Sequence, residues 1–258
     1  MESQLIRAMS KSAGKPPSGG VFELHGKSKD LRAAAHPGFL IQQFKEEGHP
    51  DQAVARAEVC SRSELANEVS SYLFSYLHRY KIPTHFIAKD GGDWMVVRQL
   101  AMYPLLIRVW NTAVGTLARR LGMKEGLDLS FPVIEHYYKA GEPPHPLVND
   151  FHLFSLGVVA PEELRTINRL ASKANAVLRS LFARRGLKLF SVTFEFGVAE
   201  RQIMLGDELT PRTCFVGDGQ PRPRRTREAG GGNGRPPAEP YRLMRDRLLG
   251  IPAGRTQA

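Results

Sequence analysis

Cysteine is scarce in this chain: Cys60 and Cys214 are its only two. Two distant thiols give neither a disulfide framework nor the paired spacing of a zinc site, so a reducing compartment is expected. Long apolar runs are lacking as well. None approaches the roughly 18 apolar residues of a membrane helix, so no membrane partner is expected. The opening stretch, MESQLIRAMSKSAGKPPSGG, has basic residues but no apolar centre like that of a secretory signal. It reads as a flexible leader, residues 1–20, on a cytoplasmic protein. Internal repeats are absent too. Acidic residues are outnumbered, giving a formal charge of +10 and a pI near 9.8, which invites a nucleic-acid reading. The distribution argues otherwise, because residues 217–258 hold nine arginines against four acids, half of the whole excess. This Gly/Pro/Arg-rich tail has no interleaved aromatics beyond Tyr241, the composition of a solvated extension, and nucleic acid is disfavoured as a partner.

What is present is globular. Hydrophobic residues make up 42% and charged residues 24% of 258, enough for one large domain or two closely packed lobes. The most informative stretch is residues 187–211, LKLFSVTFEFGVAERQIMLGDELTP. Phe190, Val192, Phe194 and Phe196 alternate with Leu189, Ser191, Thr193 and Glu195, the period of a half-buried strand. A polar turn at 199–202 leads into a second strand, where Ile203, Leu205 and Asp207 share a face. An apolar hairpin therefore carries two carboxylates, Glu195 and Asp207, with Glu208 adjoining. Such a pair suits Mg2+, which takes oxygen ligands from one or two carboxylates plus substrate phosphates. The same pattern also fits acids on a solvated strand face.

Elsewhere, residues 21–44 read as antiparallel strands with a turn near His36, Pro37 and Gly38, and Gly26-Lys27-Ser28-Lys29 sets two lysines beside a flexible glycine. Residues 61–80 read as a helix with capping-box spacing at Ser61 and Glu64, ended by Ile82-Pro83. A hairpin turning at Asp90-Gly91-Gly92 follows. AMYPLLIRVWN is nearly continuous and apolar, as a buried strand is, with Arg108 and Trp110 pointing the same way. Residues 112–121 are expected to form a short helix closed by Gly122, and residues 130–149 an ordered loop rich in proline and aromatics that carries binding groups. The clearest helix begins at Pro161 and ends at Arg184-Arg185-Gly186. After Asp218 a short helix is expected to resume at 241–249. Cys214 and the histidines read as packing or surface residues.

The ordered series GKSK, IPTHF, QLAMYPLLIRVWNTAVGTLARRLGMKEG, HPLVND, FEFG and LGDELTP resembles the SAICAR synthetase (phosphoribosylaminoimidazole-succinocarboxamide synthase) family over residues 21–218. It is most similar to the divergent paralogue found beside a second copy in some bacteria. The resemblance implies a two-lobed α+β fold related to ATP-grasp and kinase-like nucleotide binders. In it an N-terminal antiparallel-sheet lobe (21–102) meets a larger α+β C-terminal lobe (103–218), followed by the tail (219–258). It also implies a ligase of purine biosynthesis that uses ATP and Mg2+ to join a carboxylate to the amine of L-aspartate, giving an amide, ADP and phosphate. Such chemistry needs a dry cleft that protects an acyl phosphate.

Carried over by position, Lys27 and Lys29 match the family's lysines at the phosphates. Gln99, Ala101, Met102 and Tyr103 lie on the segment that meets adenine. Glu195 and Asp207 match the acids implicated in catalysis, nucleotide and metal binding. Asn111, Gly115 and Thr116 occupy an NxxxGS-like turn on the substrate side. That side also departs from the family pattern: Trp110 and Thr112 stand where arginines are usual, Ser191 and Thr193 replace an Asp and a Lys, His145 replaces an Asp, and TPRTCF puts Arg212 for Asp and Phe215 for Arg. Arg108 and Arg212 are candidates to compensate. Three readings follow from the resemblance: the family reaction with an unusual pocket, ligation of a different carboxylic acid, or a non-catalytic nucleotide-binding relative. A homo-oligomer stays open.

Overall fold

The computed structural model describes residues 23–46, 61–219 and 238–251. The expected leader (1–20), Cys60 and tail residues 220–237 lie outside them. Three short strands open the described chain, β1 (Glu23–His25), β2 (Lys29–Ala33) and β3 (Phe39–Phe44). Helix α1 (Arg62–Arg79) follows, and β4 (Phe86–Lys89) and β5 (Trp94–Arg98) complete a five-stranded antiparallel sheet in the order β1-β2-β3-β5-β4. The sequence starts α1 where the capping box places it: the Ser61 N–H donates to the Glu64 carboxylate at 2.8 Å, and the Glu64 N–H donates back to Ser61 Oγ at 3.3 Å. The helix lies on the sheet, burying Leu65, Val69, Leu73 and Leu77. Its buried Asn67 donates through Nδ2 to the carbonyls of Gly91, Gly92 and Trp94 at 2.9–3.0 Å, holding the β4–β5 turn.

The second half is built on β7 (Leu105–Ala113), the centre of another five-stranded antiparallel sheet. Its strands are β8 (Leu127–Tyr138), β9 (Leu147–Val148), β10 (Lys188–Phe194) and β13 (Cys214–Gly217), in the order β13-β10-β7-β8-β9. The long helix α4 (Pro161–Arg184), preceded by the short α2 (Gly115–Leu121) and α3 (Asp150–Ser155), packs on β7 and β10. Between the two large sheets lies a small one, β12-β11-β6, made of β6 (Ala101–Met102), β11 (Phe196–Ala199) and β12 (Gln202–Leu205). One hydrophobic core runs from Leu65 and Phe74 of α1 through Ile107 and Val109 to Leu170 and Leu178 of α4. The fold is α+β and two-lobed, as expected. Helix α5 (Glu239–Leu249) starts two residues before the expected 241 and buries Tyr241, Met244 and Leu248 beside α1, with Arg62 stacked 5.3 Å from the Tyr241 ring centre.

Three local expectations are corrected. Thr112 is not helical: β7 continues through Ala113, and the buried Thr112 donates its hydroxyl to Asp128 at 3.0 Å. Most of 130–149 is strand rather than loop, because β8 pairs along β7 from Val133 to Tyr138 and Pro143, Pro144 and Pro146 all come later. Pro132 falls where the β7–β8 ladder is interrupted between Trp110 and Thr112, so its missing N–H breaks no bond. The 187–211 hairpin is in fact divided between two sheets, and a bulge between Leu189 and Ser191 moves Leu189 into the main core and turns Phe190 toward Trp110.

Asn67→Ala would remove a buried side chain's three hydrogen bonds to the β4–β5 turn, leaving the Trp94 carbonyl with only the Gly91 N–H among these donors. Urea denaturation is expected to give a loss of about 1–3 kcal/mol, with no change of fold by circular dichroism.

Candidate active site

Backbone routing brings the two acids of the hairpin together. The chain leaves the large sheet after Phe194, passes through Glu195 and enters the small sheet at Phe196. Two positive-φ residues, Glu200 and Arg201, make the tight turn that matches strand twist, and β12 returns to Gly206, whose N–H donates to the Glu195 carbonyl at 2.9 Å. Asp207 follows with φ of 62°, a left-handed conformation that is costly for a residue with a side chain. It is held there by Gln42 of β3, whose Nε2 donates to the Asp207 carbonyl at 3.2 Å.

The resulting cluster alternates in charge. Lys29 Nζ donates to Asp207 Oδ1 and lies 3.7 Å from Glu208 Oε1. Burial opposes the charge of Lys29, but the carboxylates of Asp207 and Glu208 outweigh it and raise its pKa. Burial likewise opposes ionisation of Asp207, and Lys29 outweighs it, so the Asp207 pKa falls. Glu195 goes the other way: burial and then the Asp207 charge push it up to about 7, although Lys139 Nζ sits 2.9 Å from its Oε2. Glu208 is locked by the hydroxyls of Ser28 at 3.0 Å and Thr210 at 3.1 Å. His85 is buried close by; burial first, then the Lys29 charge, lowers its pKa to about 3, and its Nε2 has no hydrogen-bond partner.

Of the residues matched to the nucleotide side, Lys29, Glu195 and Asp207 converge. Lys27 stands apart at the surface, paired with Glu142 at 3.1 Å. Gln99 is exposed and its N–H donates to the Gly38 carbonyl at 2.8 Å. Ala101 and Met102 form β6 along β11, both exposed. Two glycines permit that approach: a Cβ on Gly197 would stand 2.8 Å from both Leu100 Cβ and Met102 Sδ, and one on Gly206 only 3.2 Å from the same two side chains. The glycines of FEFG and LGDE thus let residues 100–102 lie flat against the acidic hairpin. Tyr103 points to α4, donating its hydroxyl to Glu163 at 2.7 Å.

On the substrate side, cross-strand register puts Ser191 opposite Trp110, Thr193 opposite Arg108, and Arg108 opposite Glu135. Trp110 is buried with Phe190, Val114 and Leu117, and Phe215 and Val133 pack against them. Its Nε1 donates to Glu135 Oε2 at 2.9 Å. The same oxygen accepts from the Tyr137 hydroxyl at 2.6 Å, and Glu135 Oε1 is taken by Arg120. Asn111 does not join this face: it is buried toward α4, where it and Asn175 exchange two amide bonds of 2.8 Å. Gly115 donates its N–H to both oxygens of Glu125 at 3.0 Å, and Thr116 is half-buried in the first turn of α2. Arg212 lies on the other side of the cluster, its Nε 3.8 Å from Glu208. Sequence reasoning named Trp110 but missed Lys139, Gln42, Glu135, Tyr137 and Arg120. Lys139 sits in the stretch expected to carry binding groups, and for Gln42 only tertiary contact reveals a role.

A protein-family model described as SAICAR synthetase matches residues 23–220. The chain belongs to the SAICAR synthetase family. Among curated members, the phosphoribosylaminoimidazole-succinocarboxamide synthase of Thermococcus sibiricus is 37% identical over 202 residues, covering 78% of this chain and 86% of that protein. The enzyme of the same name from Chloroherpeton thalassium is 35% identical over 195 residues, covering 76% and 83%. A solved structure described as SAICAR synthetase (Type-2) in complex with ADP matches with a TM-score of 0.73 at 30% identity, covering 89% of this chain and 98% of its own. Among the described residues, no helix of this SAICAR synthetase homologue is long and apolar enough to cross a membrane.

The raised pKa of Glu195 has a sign that can be checked. A carboxyl that holds its proton more tightly when folded than when unfolded stabilises the folded state as pH falls, here between about 7 and the ordinary 4.5. Asp207, with a lowered pKa, loses its contribution only at lower pH. Without nucleotide or divalent ion, Glu195→Gln is therefore expected to raise Tm relative to wild type at about pH 7.5, with the difference shrinking by about pH 5.5. Thermal melts at the two pH values measure it.

Proposed function

We propose that this chain is an ATP-dependent carbon–nitrogen ligase that converts carboxyaminoimidazole ribotide, L-aspartate and ATP into SAICAR, ADP and phosphate. The observation that carries the reading is the charge-alternating cluster of Lys29, Asp207 and Glu195, built on the motifs by which the chain resembles its family and joined at its exposed rim by Lys139. In the reaction a carboxylate oxygen of the ribotide bonds to the γ-phosphorus as the bond to the ADP oxygen breaks. The aspartate amine then bonds to the acyl carbon, phosphate leaves with the oxygen it gained, and the amine gives up a proton.

Lys29 can neutralise phosphate oxygens where burial strengthens its charge, and the more exposed Lys139 adds a second cation beside Glu195. The segment at 100–102, flat against Gly197 and Gly206, offers exposed backbone and the Met102 side chain to a nucleotide base. The donor set also fits Mg2+. Among the described residues no three His, Cys, Asp or Glu side chains cluster as a metal site. Glu195 and Asp207 are nonetheless close enough for the charge of one to raise the pKa of the other. Two carboxylates completed by phosphate oxygens and water are what Mg2+ commonly accepts. Bound there, it would neutralise phosphate charge.

Purified protein given all three substrates and Mg2+ is expected to form SAICAR, read by mass, with stoichiometric phosphate. Asp207→Asn should lower kcat/KM by about 30-fold or more, the cost of unpairing a buried charge. Lys29→Ala should lower it far more than Lys27→Ala, since only Lys29 is buried in the cluster. ATP binding without SAICAR formation would contradict the proposal.

A further inference from the structure

Arg108 is the one charged side chain on the substrate face whose terminal nitrogens have no partner among the described residues. Its guanidinium lies 5.2 Å from the Trp110 ring centre and 5.5 Å from that of Tyr137, and its Nε donates to Thr193 Oγ1 at 3.1 Å. Two rings and one hydroxyl thus fix the plane and the rotation of the group, while Nη1 and Nη2 carry no hydrogen bond or ion pair.

A carboxylate does stand in register with it. Glu135 is directly across the β7–β8 ladder from Arg108, and a cross-strand pair of opposite charge is normally stabilising. Glu135 is committed elsewhere, however. Its Oε1 takes Arg120, and its Oε2 takes both Trp110 and Tyr137. The two hydrogen bonds on Glu135 Oε2 come from the same two aromatic residues that clamp Arg108. One network thereby orients the rings and engages the carboxylate in register with the guanidinium.

The location gives the free edge a purpose. Thr193, opposite Arg108, precedes Glu195 by two residues, so about 7 Å of chain separates its Cα from that of Glu195. Glu195 follows the end of β10 and Lys139 the end of β8, and their 2.9 Å pair closes this end of the face that carries Thr193 and Tyr137. A planar fork beside a phosphoryl-transfer site, with Nε already used, presents two parallel N–H groups, the geometry that receives a carboxylate bidentately.

We propose that Arg108 is a specificity-determining residue that binds a substrate carboxylate beside the site of phosphoryl transfer. This rests on the ligase reading above. The carboxylate can come from the acid to be activated or from the amino acid that attacks it, and the two sources are separable.

The test is calorimetric titration of ADP-loaded protein with carboxyaminoimidazole ribotide, L-aspartate and inorganic phosphate, on wild type, Arg108→Gln and Arg108→Lys. At least one carboxylate ligand should weaken by about 30-fold or more in Arg108→Gln, with ADP affinity unchanged and a smaller loss in Arg108→Lys. The ligand that weakens identifies the source. Should Arg108→Gln also lose ADP, Arg108→Lys alone carries the comparison, because it keeps the stem and the charge but not the fork. Unchanged affinity for both carboxylates, a loss confined to phosphate, or no carboxylate binding by wild type overturns the proposal. Turnover by wild type with Arg108-independent binding refutes the anchor alone; Arg108-dependent binding without turnover refutes the ligase reading and leaves the anchor standing.

Discussion

The ion pair between Lys29 and the adjoining acids Asp207 and Glu208 is the constraint on which the site depends. It joins the first strand pair of the N-terminal sheet to the end of a hairpin nearly 180 residues later, and the acids are secured by further hydrogen bonds, from Gln42 and Ser28 across the same junction and from Thr210 on their own side. Buried charges are costly unless paired and hydrogen-bonded, and removing one partner leaves the others uncompensated. Lys29 therefore cannot be exchanged for an apolar residue without exposing two carboxylates to burial, and the left-handed backbone at Asp207 persists because the contacts around it over-determine it. The arrangement that docks the N-terminal sheet on the hairpin also gathers the charges a nucleotide phosphate would meet.

The other half of the site is organised by a saturated carboxylate. Glu135, 8% exposed, takes donors from Trp110, Tyr137 and Arg120. Trp110 and Phe215, which stand where the family resemblance leads one to expect arginines, pack with Phe190 into a small apolar cluster. Positive charge on this face comes instead from Arg108, on the neighbouring position of the same strand face.

Much of this was legible in the chain itself. The capping box at Ser61 and Glu64, the Pro161 start of α4 and the turn at 199–202 are local signals, set by hydrogen bonds within a few residues, and each appears where the sequence puts it. Glu195 and Asp207 were also readable as a pair on one hairpin, although it is the strand junction at Glu195 and the Gly206 N–H on its carbonyl that bring them together. What failed was non-local. The Leu189–Ser191 bulge reverses the side of Phe190, the β7–β8 register turns an expected loop into a twelve-residue strand, and Asn111 spends its amide on Asn175 of α4. None of these is decided within a window of neighbours. Lys139 illustrates the same limit, since its role is visible only once β8 delivers it to Glu195.

Carboxylate activation by ATP at this cluster is the central claim, and isotope transfer addresses it directly. With carboxyaminoimidazole ribotide labelled by oxygen-18 in its carboxylate, the released phosphate is expected to carry one labelled oxygen for each SAICAR formed. Phosphate released without label, while SAICAR accumulates, would contradict the account.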